Sequence, residues 1–261
     1  MDTLNISNFF EKNDEKCSAL TVYSSPNFLR GMIHNGGNKR LVLIVHGYLS
    51  SNKIGPHRLY YQIADEVSKL GNSVVRIDLS GMGESDGDIK DIKLNNHIFD
   101  LNIIINKLLK DYSFDKIDLI GHCSGCCLIL NILKHFNNII DRVILISPFI
   151  FSEDFIGDLL DKKSYEEMKN KGYTYRKGLY CDSSFINNSS SMNNEDYLRI
   201  LKEKKYLVLF SENDEICNIS VSRNWAEKNQ IAYSIIRKAS HNYLEINARA
   251  ELFKKIKRIY S

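Results

Sequence analysis

Six short apolar runs rich in branched side chains recur along this chain, each followed by turn residues, and stretches with helical spacing lie between most of them. The runs are Leu41–His46, Ser73–Leu79, Lys116–His122, Arg142–Ser147, Tyr206–Ser211 and Ala232–Arg237. Strand runs alternating with helical stretches predict βαβ units and a mostly parallel, doubly wound α/β sheet. Ala19–Tyr23 and Leu29–His34 predict an opening hairpin. Helices are predicted over His57–Leu70, Leu94–Tyr112, Ser124–Phe136, Val221–Asn229 and Asn242–Ile259, the last with Leu244, Ala248, Leu252, Ile256 and Ile259 on one stripe.

One stretch breaks the pattern. Phe149–Lys204 has no strong strand, many tyrosines and charges, and the polar run Asn187–Asn194. It is too long for a plain connection. The reading is a single domain over residues 1–261, with a cap insertion at about 149–204 over the carboxyl edge of the sheet, where doubly wound folds bind their ligands.

With 261 residues, 43% hydrophobic and 26% charged, the chain has the composition of a soluble globular protein. The net charge of +3 is spread over segments of mixed sign. Its densest basic stretch, Phe253–Arg258, falls at the end of the last predicted helix, where cations complement the helix dipole. No aromatic-interleaved basic stripe accompanies it, so nucleic acid is not the expected partner. Met1–Leu20 lacks the apolar run of a signal peptide, and no segment reaches the roughly 18 apolar residues of a membrane span. Three of the six cysteines crowd together at Cys123, Cys126 and Cys127, a spacing that suits reduced thiols and a cytoplasmic location.

Leu119-Ile-Gly121-His122-Cys123-Ser124-Gly125 runs from a predicted strand into a predicted helix through Gly-x-Cys-x-Gly. In this setting the sequence resembles the α/β-hydrolase superfamily, whose nucleophile elbow is Gly-x-Ser-x-Gly, with Cys123 at the nucleophile position. A frame centred on Ser124 lacks both flanking glycines. A thiol nucleophile is found in a minority of that superfamily, dienelactone hydrolases among them. Further stretches match in the order the fold requires. Leu41–Val45 followed by His46-Gly47-Tyr48 resembles the His-Gly turn, and Asp78-x-x-Gly81-x-Gly83-x-Ser85 resembles a structural loop of the family. Leu207–Asp214 places an aspartate just past a strand, although Ser211 stands where glycine is common. Ala239-Ser-His241 stands before the last helix. The resemblance implies a triad of Cys123, His241 and Asp214, with the backbone N–H groups of Tyr48 and Ser124 as oxyanion donors. It implies a hydrolase cleaving an ester or thioester through a thioester acyl-enzyme, acting on a small-molecule or carrier-bound acyl substrate. Neither cofactor nor metal is expected.

Each residue also has a plainer reading. An isolated buried cysteine is ordinarily a small apolar core residue, Asp214 alone is a turn residue, and a lone histidine is a packed or surface group. His46 and His122 flank the turns and are read as structural, with metal binding the minor alternative. His34, His57, His97 and His135 lie in no constellation. Cys123-Ser-Gly-Cys126 also fits Cys-x-x-Cys, the mark of a thioredoxin-like redox site, but that reading leaves the His-Gly turn and His241 without a role. Cys126 is expected about one turn into its helix, within reach of a reversible disulfide to Cys123, with Cys127 facing the sheet. Acyl transfer to an amine, thiol or alcohol, and a non-catalytic binding scaffold, remain as alternatives. The tyrosines at 165, 173, 175, 180 and 197 hint at a partly polar substrate.

Overall fold

The computed structural model describes residues 17–48, 52–150, 162–176, 179–184 and 188–260. Of the expected cap, residues 151–161, 177–178 and 185–187 lie outside the described residues, as do residues 1–16. Strands β1 (Cys17–Ser24), β2 (Asn27–His34), β3 (Arg40–Val45), β4 (Ser73–Ile77), β5 (Lys116–His122), β6 (Ile140–Ile146), β9 (Lys205–Ser211) and β10 (Ser234–Ile236) form one sheet in the order β1-β2-β4-β3-β5-β6-β9-β10. The β1–β2 and β2–β4 pairs are antiparallel, and every pair from β4 to β10 is parallel. The mostly parallel, doubly wound arrangement expected from the alternation is therefore present.

Two apolar layers cover the sheet. Helices α1 (Leu59–Ser68) and α7 (Ile246–Arg258) pack on one face through Leu59, Ile63, Val67, Leu252 and Ile256. On the other face lie α2 (Leu94–Asp111), α3 (Gly125–Leu133), α5 (Glu195–Lys202) and α6 (Ile219–Lys228), which contribute Leu101, Ile104, Leu128, Ile132, Leu198, Leu201 and Trp225. α3 is buried almost all round because it lies between the sheet and its helical neighbours. A helix following a central strand needs such an apolar circumference.

Between β6 and β9 the described residues hold α4 (Lys162–Lys171), a hairpin of β7 (Tyr173–Arg176) and β8 (Leu179–Asp182), a 3₁₀ turn at Asn188–Asn193, and α5. The hairpin is not foreseen in a stretch whose sequence reads as having no strong strand; with four residues per strand it is too short to stand out in sequence. Its neighbour α5 belongs to the main core, with Leu201 fully buried and Met192 O accepting from Trp225 Nε1 at 2.7 Å. Leu244, expected on the α7 stripe, is 49% exposed because the helix starts only at Ile246. Among the described residues no helix is long and apolar enough to cross a membrane.

The glycines of Gly-x-Cys-x-Gly have a steric reason. A Cβ on Gly125 would stand 2.4 Å from Val45 O, and one on Gly121 would stand 2.7 Å from Ile129 Cδ1. At Gly125 the obstacle is backbone of a central strand, which cannot swing away. Gly125→Ala is expected to lower stability by about 1–3 kcal/mol. In chemical denaturation its midpoint should fall while the slope stays constant.

Candidate active site

The sharp turn is built by backbone strain. Cys123 follows β5 with φ of +54°, in the left-handed region that non-glycine residues avoid. Its N–H donates to Ile146 O at 3.0 Å, and its carbonyl accepts from Cys126 N at 3.1 Å and Phe149 N at 3.2 Å. The side chain is thereby lifted off the sheet at the start of α3, where it remains partly exposed. Ser147, after β6, and Tyr243, after the histidine loop, also have positive φ, at 42° and 52°. The Ser147 hydroxyl joins Ser211 Oγ at 2.9 Å and Tyr243 Oη at 3.3 Å.

The structure brings Cys123, His241 and Asp214 together. His241 Nδ1 lies 2.9 Å from both carboxylate oxygens of Asp214. The carboxylate is in turn fixed by Ile216 N at 2.9 Å and Cys217 N at 2.6 Å. With Nδ1 so engaged, Nε2 is the nitrogen left for the sulfur. A ring nitrogen of His241 and the sulfurs of Cys123 and Cys217 lie within 4.8 Å of one another.

Charge follows from this geometry. A hydrogen bond from Cys217 and the nearby His241 charge outweigh burial and hold the Cys123 thiol below its ordinary range. Burial alone would lower the His241 imidazole, but the thiolate charge of Cys123 and the Asp214 hydrogen bond raise it. Burial would raise Asp214, yet the bonds to His241 and the loop N–H groups bring it down. The consistent state is thiolate, imidazolium, carboxylate.

His122 and His46 lie beside this centre. His122 Nε2 is 3.0 Å from His241 O, so it donates, and Nδ1 accepts from Tyr60 Oη at 2.8 Å. Gly47 N donates to the same Tyr60 oxygen at 3.3 Å. Burial first, then the charge of His241, press His122 down to about 3, so it is neutral. His46 donates from Nδ1 to Gly47 O at 2.9 Å and accepts from Leu79 N through Nε2 at 3.1 Å. Both rings thus tie turns together. Asp78 does the same in its loop, accepting from Lys53 N, from Lys53 Nζ at 2.8 Å and from Glu84 N at 2.9 Å.

Tyr48 and Ser124 meet directly: Tyr48 N donates to Ser124 Oγ at 2.7 Å. The Tyr48 donor is therefore satisfied at rest by a hydroxyl from the elbow. The Tyr48 phenol donates to Tyr180 O at 2.6 Å and accepts from Asp182 N at 3.0 Å, which hangs the β7–β8 hairpin on the turn. Sequence reading missed this anchor, since nothing marks a tyrosine after His-Gly as a docking post.

One cysteine expectation, that Cys127 faces the sheet, needs correction. Cys126 lies in the first turn of α3, and its thiol is the one that meets the sheet, donating to Ile146 O at 3.6 Å. The Cys127 thiol donates to Phe149 O at 3.5 Å, past the end of β6. All six cysteines are free thiols, and the sulfur clustered with Cys123 and His241 is that of Cys217. Its only sequence signal is its place three residues after Asp214.

A family model for the alpha/beta hydrolase fold matches residues 40–179. Among curated proteins none matches the chain. Several solved structures share the fold. Est1E from Butyrivibrio proteoclasticus, solved with bound ferulic acid, is 17% identical with a TM-score of 0.77, over 92% of this chain and 98% of that one. An esterase of Pyrococcus furiosus is 17% identical with a TM-score of 0.67, over 100% and 96%. The thioesterase domain of the curacin biosynthetic pathway is 15% identical with a TM-score of 0.62, over 92% and 99%.

The charge state carries a prediction. Because the folded thiol is lowered, thiolate is full above that value and is lost only as pH falls through it. Because the imidazole is raised, imidazolium persists until pH climbs through its own value. Alkylation of Cys123 by iodoacetamide, in chelator-treated protein, should therefore show a midpoint well below the about 8.5 of a free thiol. His241→Ala should move that midpoint up toward it.

Proposed function

Because the chain belongs to the α/β-hydrolase family, we propose that it is an acyl hydrolase that cleaves an ester or thioester with Cys123 as nucleophile. One observation carries the reading: a partly exposed cysteine with φ of +54° at a strand-to-helix turn, clustered with a histidine whose Nδ1 is held by Asp214. Nucleophile, base and orienting group in that relation are what covalent acyl chemistry requires.

In the proposed cycle the Cys123 thiolate attacks the acyl carbonyl carbon. The negative charge that develops on the carbonyl oxygen is received by the backbone N–H groups of Tyr48 and Ser124, with the Ser124 hydroxyl giving up its place at Tyr48 N. In a serine hydrolase such a donor is worth about 2.7–4 kcal/mol. As the tetrahedral species collapses, His241 Nε2–H gives its proton to the departing alcohol or thiol, leaving a thioester. His241 then accepts a proton from water as the water attacks the thioester, and Cys123 leaves as thiolate. Asp214 keeps Nδ1 protonated throughout.

Of the segment from 149 to 204, the part before α5 is proposed as a cap, since α5 itself packs into the main core. Support comes from the hairpin hung on the Tyr48 phenol, which carries the stacked rings of Tyr173 and Tyr180, 5.5 Å apart. Such paired rings on the proposed cap favour substrates with a flat or partly polar acyl group.

The experiment is an activity screen over p-nitrophenyl esters and acyl thioesters of graded chain length. Cys123→Ala should fold and lose turnover by about 10⁴-fold or more. Ser124→Ala keeps its backbone donor and should retain at least about a tenth of kcat/KM. Intact mass should show an acyl adduct on Cys123 with slow substrates. The reverse pattern, with Ser124 essential and Cys123 dispensable, would overturn the assignment. Added amines or hydroxylamine that accelerate acyl release into an amide or hydroxamate would place the enzyme among acyltransferases.

A further inference from the structure

Cys217 has no part in the cycle above, yet it is buried beside the nucleophile and the histidine. It is 5% exposed, and its sulfur stands 3.5 Å from Ser147 O, an alternative acceptor for the S–H that otherwise points at Cys123. Its sulfur, that of Cys123 and a ring nitrogen of His241 all fall within 4.8 Å of one another. These side chains come from three separate loops at the carboxyl ends of β9, β5 and β10, so their convergence is a product of the fold. A packing residue at position 217 would need no sulfur and no access to the nucleophile.

We propose that Cys123 Sγ, Cys217 Sγ and His241 Nε2 form a binding site for a thiophilic divalent cation of the zinc class, and that its occupancy withdraws the nucleophile from acyl chemistry. Binding releases the Cys217 S–H and His241 Nε2–H protons to solvent. The resulting two thiolates and one imidazole make a three-residue set of the kind that leaves a fourth tetrahedral position open to solvent or substrate. Sulfur donors select zinc-like ions over magnesium or calcium. With Zn–S near 2.3 Å and Zn–N near 2.0 Å, tetrahedral ligand atoms stand roughly 3.5–3.8 Å apart, so the cluster closes on an ion with side-chain shifts on the order of 1 Å. Two thiolates also balance the charge of a dication, which spares the buried centre an uncompensated charge.

The outer partners are already in place. Asp214 holds His241 Nδ1, which fixes the tautomer and aims Nε2, as a carboxylate does for a zinc-bound histidine. The same carboxylate accepts from Cys217 N at 2.6 Å, so one acid orients two of the three ligands. Binding stands on this geometry alone; the loss of turnover rests on the nucleophile role proposed for Cys123.

The test uses full-length protein, reduced and stripped with chelator, titrated with Co²⁺ and then Zn²⁺. Expected are one metal per chain, a thiolate-to-cobalt charge-transfer band, the strong visible bands of tetrahedral Co²⁺, and displacement of both by Zn²⁺. One equivalent of Zn²⁺ should also block alkylation of Cys123. Cys217→Ser should weaken Zn²⁺ binding by at least about tenfold, measured by competition with a chromophoric chelator. Cys123→Ala provides a second variant, with the same expected weakening, should Cys217→Ser fail to give a native circular dichroism spectrum. Absence of the charge-transfer band, or a band unchanged in both variants, overturns the site. Ester turnover in a chain that shows no such band would refute the metal site alone. Metal binding in a chain that turns over no ester would refute the acyl-hydrolase reading alone.

Discussion

The left-handed backbone of Cys123 is the constraint on which the rest of the centre depends. A non-glycine residue held there costs of order 1–3 kcal/mol, and such strain persists only where the surroundings over-determine it. Here they do so from both sides. β6 takes the Cys123 N–H through Ile146 O, and the carbonyl is shared between α3 and the chain after β6. The glycines at 121 and 125 let Ile129 and the Val45 carbonyl close in on the turn. Gly47 packs against it, where a Cβ would stand 3.1 Å from that of Cys123.

A strained turn fixes a sulfur, but it does not place an imidazole contributed nearly 120 residues later. That task falls to a buried chain of hydrogen bonds. Gly47 N donates to Tyr60 Oη, Tyr60 donates to His122 Nδ1, and His122 Nε2 donates to the His241 carbonyl. Each link spans different elements: the turn after β3, α1, the end of β5 and the histidine loop. Because every member is buried, losing one partner strands another polar group, and the penalty of about 1–3 kcal/mol makes the arrangement cooperative. Neutral His122 suits this role, since a charged ring so close to His241 would oppose the imidazolium.

Much of this was legible in sequence, and the limits have physical causes. The parallel strands are long apolar runs between turn residues, so their existence and order were readable, whereas β10 shrinks from the expected Ala232–Arg237 to Ser234–Ile236 because an edge strand pairs on one side only. Cys123, His241 and Asp214 were readable because local motifs reflect backbone needs: glycines for the turn, an acid just past a strand, a histidine before the last helix. Cys217 was not, because its proximity to Cys123 depends on how two loops fold over the sheet edge, which no local spacing encodes. The placement of α5 was hidden similarly. Its apolar residues Leu198 and Leu201 show helical spacing, but only tertiary packing against α3 shows that they belong to the main core.

The pairing of Tyr48 N with Ser124 Oγ bears on how such a centre favours a transition state. A backbone N–H in a partly buried turn needs a partner at rest, and here a hydroxyl of the elbow satisfies it. A neutral ester oxygen arriving at Tyr48 N replaces one neutral acceptor with another and gains little. An oxygen carrying developing negative charge gains about twice the hydrogen-bond strength. In the proposed cycle the exchange would therefore discriminate between ground state and transition state, the condition under which binding energy accelerates chemistry. Because the Tyr48 phenol also carries the β7–β8 hairpin, a substrate that displaced the hairpin would bear on the same turn, which in the proposed cycle would join substrate recognition to the oxyanion donor.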